Sequence, residues 1–170
     1  TFTHEATKRH FGLSARLSAR RSIAEIFADV ERGRCDYGVV PIENSTEGAV
    51  TDTLDLLVES EPRICAEISI DIHLYLLSRS GRREDIQCIV SHPQALAQCR
   101  RWLAGHCSGL KTQEAGRTAQ AAHMATQDPT LAAIASGLAK DFYGLEAVAK
   151  NIEDQAHNMT RFLVIGNRGS

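Results

Sequence analysis

A chain of 170 residues with 43% apolar residues, 24% charged residues and a net charge of −2 reads as an ordinary globular protein, one mid-sized domain or two small lobes. There is no basic excess to hold nucleic acid and no run of like charge long enough to form a tail. No uncharged apolar stretch approaches the length of a membrane span, and TFTHEATKRHF at the start lacks the apolar centre and cleavage signature of a signal peptide.

Ile23, Ile26, Phe27 and Val30 recur at helical spacing and predict an amphipathic helix over 22–33. Tyr37 to Ile42 reads as a short buried strand, closed by Pro41 and a polar cluster, and a second helix follows with Val50, Leu54 and Leu57 on one face. From 63 to 76 apolar and polar residues then alternate strictly, Ile64, Ala66, Ile68, Ile70, Ile72, Leu74 and Leu76 being the apolar set. Such a run is much longer than the usual strand of about five or six residues. It predicts a chain that leaves one sheet and enters another. Ile86 to Val90 is strand-like, and Ser91-His92-Pro93-Gln94 opens a helix expected to reach about Cys107. Leu131 to Ala135 is another strand, turning at Ser136-Gly137 into a helix up to Tyr143-Gly144, and Leu145–Val148 and Phe162–Ile165 complete the pattern.

Strand, polar turn and helix in repetition predict an α/β fold with mainly parallel sheets, and the long alternating run predicts a crossing between two lobes. The expected division is 1–70, with 160–170 returning to it, and 71–159. Five cysteines, at 35, 65, 88, 99 and 107, form no C-x-x-C pair, and the histidines are scattered, so no metal site is expected and a reducing compartment is.

In open α/β sheets ligands lie beyond the carboxyl ends of strands. Three polar turns sit there: Glu43-Asn44-Ser45-Thr46, Ser91-His92-Pro93-Gln94 and Ser136-Gly137. Their backbone N–H groups and helix dipoles suit a small anion. The same residue types also cap helices for structural reasons alone, and Ser91-x-x-Gln94 with Pro93 inside it has the form of a capping box. Gln98 falls two turns after Ser91 on the same helix face, and Glu43 is an acid directly after an apolar strand. Asn44-Ser45-Thr46 and Asn158-Met159-Thr160 also match the glycosylation acceptor pattern, a reading that requires secretion and is set aside here.

Taken together, Thr1-Phe2-Thr3-His4, Tyr37 to Ser45, Ser91 to Gln94 with Gln98, Ala133 to Ser136, Tyr143 to Leu145, and Asn151-Ile152-Glu153-Asp154 leading to Thr160-Arg161-Phe162 resemble the catalytic domain of bacterial prephenate dehydratases. The resemblance implies a cofactor-free cytoplasmic lyase that converts prephenate to phenylpyruvate in phenylalanine biosynthesis. It also implies a two-lobed fold of the type II periplasmic-binding-protein kind, with the active site in the cleft between the lobes. Thr160 is then the residue most closely tied to catalysis, with Arg161, Glu43 and Gln98 as further catalytic positions. Asn44, Ser45, Ser91, Ser136 and Phe162 are the expected substrate-binding positions. Arg161 points opposite to Thr160 and Phe162 in a regular strand, and either pairs with a substrate carboxylate or holds the loop. Arogenate, the amino-acid relative, is the rival substrate, and a non-catalytic anion-binding domain is the rival class. A homodimer or higher homo-oligomer is expected, without nucleic acid, membrane, metal or cofactor.

Members of that family begin with a strand and a glycine-rich turn ahead of Thr-Phe, so a fragment trimmed at its start is expected. No phenylalanine-binding regulatory segment or chorismate mutase segment is recognised. If Thr-Arg-Phe is catalytic, the side chains of Thr160, Asn44 and Gln98 should converge within about 10 Å in a closed form.

Overall fold

The structure is a computed structural model that describes residues 2–167; Thr1, the first residue of the opening motif, and residues 168–170, the end of the expected returning segment, lie outside the described residues. The described residues form two compact units, one from Phe2–Ile72 with the segment 157–167, the other from His73–Ala156.

The first unit is built on four strands in the order β2-β1-β9-β3, with β1 Tyr37–Asn44, β2 Gly48–Ala49, β3 Arg63–Asp71 and β9 Met159–Gly166. Helix α1, Phe2–Phe11, covers one face, where Phe2, Ala6 and Phe11 meet Val39, Ile68, Ile70, Phe162 and Val164. Helices α2, Ile23–Glu31, and α3, Thr51–Glu59, cover the other with Phe27, Val30, Leu56 and Leu57 against Val40, Leu163 and Ile165. Alternate residues of β9 thus feed two different cores, which is why its apolar run is continuous rather than alternating. Ser22 starts α2, its Oγ accepting from the Glu25 N–H at 3.2 Å. Gly38 is required in β1 because a methyl there would lie 2.5 Å from Ile26 Cγ2.

The second unit carries five strands in the order β6-β5-β7-β4-β8. They are β4 Leu74–Ser78, β5 Cys88–Ser91, β6 Lys111–Glu114, β7 Leu131–Ser136 and β8 Glu146–Ala149. Helix α6, Thr118–Gln127, presses Ala121, Ala122 and Ala125 onto Leu77, Val90, Ala133 and Ala135; with so little side-chain bulk at the contact, helix and sheet approach closely. Helices α4, Pro93–Gln98, α5, Arg100–His106, and α7, Gly137–Tyr143, complete the unit.

The period-two run divides as expected: β3 belongs to the first sheet and β4 to the second, with the break at Ile72-His73. Glu153 secures the start of β4, its carboxylate accepting from Leu74 N–H at 2.9 Å and meeting His73 Nδ1 at 2.6 Å.

Four expectations are corrected. The sheets are not mainly parallel: β5 runs parallel to β6 and β7, and every other ladder is antiparallel. In the first sheet β9 lies between β1 and β3 and runs against both, so strand–helix alternation along the sequence does not translate into parallel neighbours. Leu54 is 41% exposed; the buried face of α3 is Thr53, Leu56 and Leu57, and the Thr53 hydroxyl donates to the Pro41 carbonyl at 2.6 Å. The expected helix after Ser91 is broken at Cys99 into α4 and α5. Finally, Ser91 is no helix cap: His92 is the N-cap of α4, its Nδ1 accepting from Gln94 N–H at 3.1 Å.

Candidate active site

The first unit brings five of the expected residues, Glu43, Asn44, Ser45, Thr160 and Arg161, to one end of its sheet. Asn44 closes β1 and Thr160 opens β9, and the antiparallel register sets them opposite one another, with Ile70 on the far side of Thr160. Asn44 Nδ2 donates to Thr160 Oγ1 at 2.8 Å. The other end of the same amide, Oδ1, accepts from Thr46 N–H at 2.9 Å and from the Thr46 hydroxyl at 2.6 Å. Thr160 is 8% exposed, so this is a sheltered hydroxyl rather than a surface one. Since it accepts from Asn44, its own hydrogen is available to another acceptor.

Ser45 ties the turn to the start of β9. Its N–H donates to Met159 O at 2.9 Å, its Oγ accepts from Met159 N–H at 2.8 Å, and its hydroxyl donates to His157 O at 3.1 Å. These bonds make Ser45 a strut, its hydroxyl hydrogen already taken by backbone.

Arg161 lies opposite Glu43 on one side and Ser69 on the other. Its guanidinium grips Glu67 in a two-point pair, Nε to Oε1 at 2.8 Å and Nη2 to Oε2 at 3.0 Å, and stands 3.6 Å from Glu43 Oε2. Hydrogen bonding to Arg161 holds the Glu67 carboxyl below the usual carboxylate range, and the same pairing raises Arg161. A guanidinium shared between two carboxylates is no free cation. Of the two roles left open for Arg161, the contacts favour the one that holds β9 to its neighbours.

Phe162 requires a correction. At 2% exposure it packs among Val39, Ile68, Ile70 and Val164, so the ring supports the sheet and is not presented to a ligand.

The second unit holds the rest. Ser91 ends β5 and Ser136 ends β7, and because these strands are parallel both serines leave the sheet at the same end. Ser91 is fully buried and its hydroxyl donates to Ile134 O at 2.7 Å, so it is not the free donor expected from its turn. Ser136 is half-buried and begins α7 without a side-chain cap. Gln98 is half-buried at the last turn of α4, and its carbonyl accepts from Asp154 N–H at 2.8 Å. The Asp154 carboxylate in turn accepts from Arg101 N–H at 2.8 Å and Trp102 N–H at 3.0 Å, capping α5 from fifty residues away. Burial, with Asp154 and Glu153 nearby, pushes the Cys99 thiol up to about 12.

Sequence reasoning missed Thr46, Glu67 and Asp154 as supports. For Thr46 the signal was present, since Asn followed two residues later by a backbone donor is the form of an Asx turn. Glu67 and Asp154 depend on pairings distant in sequence. Among the described residues no group of three His, Cys, Asp or Glu side chains could hold a metal.

Comparison with known proteins adds the family context. The family model for prephenate dehydratase matches residues 1–170. A bifunctional chorismate mutase/prephenate dehydratase of Aquifex aeolicus is 45% identical over 168 residues, 99% of this chain and 46% of the relative. The chain thus spans about half the length of the curated relatives it matches first. The solved prephenate dehydratase of Arthrobacter aurescens, in complex with L-Phe, superimposes with a TM-score of 0.88 at 32% identity, over 100% of this chain and 58% of that one. A solved structure described as a novel type of quorum quenching acylase gives 0.84 at 30% identity, over 99% and 61%.

Proposed function

Because the chain belongs to the prephenate dehydratase family, we propose that it carries the site converting prephenate to phenylpyruvate, carbon dioxide and water. The observation that carries this reading is the sheltered Thr160 hydroxyl, which accepts from Asn44 and keeps its hydrogen to donate.

Prephenate is a dianion. Its ring carboxylate leaves as carbon dioxide, the pair from the broken C–C bond enters the ring, and the bond to the 4-hydroxyl breaks. One proton is taken up, so hydroxide departs as water and the phenylpyruvate monoanion remains. A threonine hydroxyl is too weak an acid to protonate the leaving group alone; Thr160 donates a hydrogen bond to it or relays a proton from water. A preorganised donor of this kind lowers the barrier by about 3 kcal/mol. Neutral donors suit the task because a cation on the departing carboxylate would stabilise the charge that must be lost. The engagement of Arg161 with Glu67 and Glu43 fits that requirement. Gln98 and Glu43 stay in the proposal as catalytic positions, and Ser136 as a substrate contact, on the strength of the motif positions they occupy. The same proposal places the enzyme in the cytoplasm as a homo-oligomer.

The likeness to an acylase does not favour acyl transfer at these residues. Ser45 and Ser91 give their hydroxyl hydrogens to the carbonyls of His157 and Ile134, not to a histidine base.

The test is incubation of the purified protein with prephenate, followed by phenylpyruvate absorbance. Folded protein that yields none refutes the proposal, and turnover of arogenate alone moves the assignment to the amino-acid substrate.

A further inference from the structure

Asparagine presents two ends of nearly equal shape and opposite hydrogen-bonding character, so a catalytic partner of Asn44 depends on which end faces it. Here Thr46 decides the matter, its backbone N–H and its hydroxyl acting together. The Thr46 N–H, 2.9 Å from the amide, can only donate, so the atom it faces must be Oδ1, and the Thr46 hydroxyl reinforces the choice at 2.6 Å. The NH2 end is thereby aimed at Thr160 Oγ1, 2.8 Å away.

We propose that Thr46 is a positioning residue for catalysis: its two donors lock the Asn44 amide so that Thr160 accepts there and keeps its hydroxyl hydrogen for the substrate's departing oxygen. The inference rests on the dehydratase reading of Thr160. A flipped amide would present oxygen to Thr160, attract that hydrogen, and leave the substrate facing lone pairs. Thr46 itself is exposed on the turn, so its hydroxyl has no core to support.

The experiment uses the full-length protein with prephenate as probe. Thr46→Val, which keeps the shape and the backbone N–H but removes the hydroxyl, is expected to lower kcat about tenfold with KM changed less than about twofold. Thr46→Ser is expected to recover most of that loss. Asn44→Asp keeps the shape but replaces the donor end with an acceptor, and is expected to lower kcat about a hundredfold. A Thr46→Val variant with the parent kcat, or one whose loss is matched by a loss of folded protein and not recovered by serine, overturns the proposal. A parent protein that makes no phenylpyruvate overturns the dehydratase reading instead. The amide lock is then read directly by NMR: hydrogen exchange of the Asn44 side-chain NH2 should be faster in Thr46→Val than in the parent. Equal exchange in both overturns the lock whatever the activity.

Discussion

Replacing Thr160 with valine removes one hydroxyl from the start of β9 while keeping a β-branched side chain suited to a strand. Thr160 is 8% exposed and its hydroxyl accepts the Asn44 amide at 2.8 Å, so the variant leaves one N–H without its acceptor. A buried donor stranded in this way costs about 1–3 kcal/mol. Asn44 is half-buried at the mouth of a turn, where water replaces part of the bond, which puts the cost at the low end, about 1 kcal/mol. For a chain of this size that lowers Tm by about 2–4 °C. Activity should respond on another scale. A donor aimed at developing negative charge is worth about 10²–10³-fold in kcat, so the variant should be folded and nearly inert. Thermal unfolding by circular dichroism and phenylpyruvate release from prephenate measure the two effects side by side. Thr160→Ser, which restores the donor, should recover most of the turnover. A valine variant within about fivefold of the parent kcat refutes Thr160 as the donor, because the departing oxygen is then served by another group. A variant that unfolds at room temperature refutes the separation of catalysis from folding.

Phe162→Ala should cost about 3–5 kcal/mol in urea unfolding, as expected for an aromatic ring at 2% exposure; a stable variant with a raised KM would restore the ligand-contact role. Asp154→Ala removes the acceptor for Arg101 and Trp102 N–H and should cost about 0.5–2 kcal/mol by denaturant titration, whereas no loss would mean α5 is capped by water equally well. Asp29, buried in α2, is hydrogen-bonded by Arg34 and Arg20, which hold its carboxyl below the usual range. A folded pKa below the unfolded one contributes stability at pH above about 4 and loses it as pH falls through the folded value. Asp29→Asn should therefore be less stable than the parent at neutral pH, with the difference closing in acid; a gap of constant size across that range contradicts the pairing. Iodoacetamide with mass spectrometry should label exposed Cys65 well before Cys99, whose buried thiol is pushed up to about 12; early labelling of Cys99 in folded protein contradicts its burial.

Local patterning made several parts of this protein legible in the sequence. The strict alternation from 63 to 76 identified a chain passing between two sheets, because a period of two can be read without knowing any partner strand. The strands of Tyr37–Ile42, Leu131–Ala135 and Phe162–Ile165 were legible as short apolar runs, and the α2 helix by the helical spacing of its apolar residues. The pairing of Asn44 with Thr160 was expected only as a convergence. The register of β1 against β9 turned it into a hydrogen bond, and register is fixed by side chains 116 positions apart. Strand direction was not legible: the rule that strand–helix alternation means parallel neighbours fails when a late strand enters between two earlier ones and runs against both. Nor was the fate of each polar group. Asn44, Ser45, Ser91 and Arg161 are all polar residues at strand ends, alike in the sequence. Only the fold decides that Ser45 and Ser91 give their hydrogens to His157 and Ile134 carbonyls and Arg161 its charge to Glu67, while Thr160 keeps its hydrogen. A side chain's chemistry is what its residue type allows minus what its neighbours have already taken, and those neighbours come from tertiary structure.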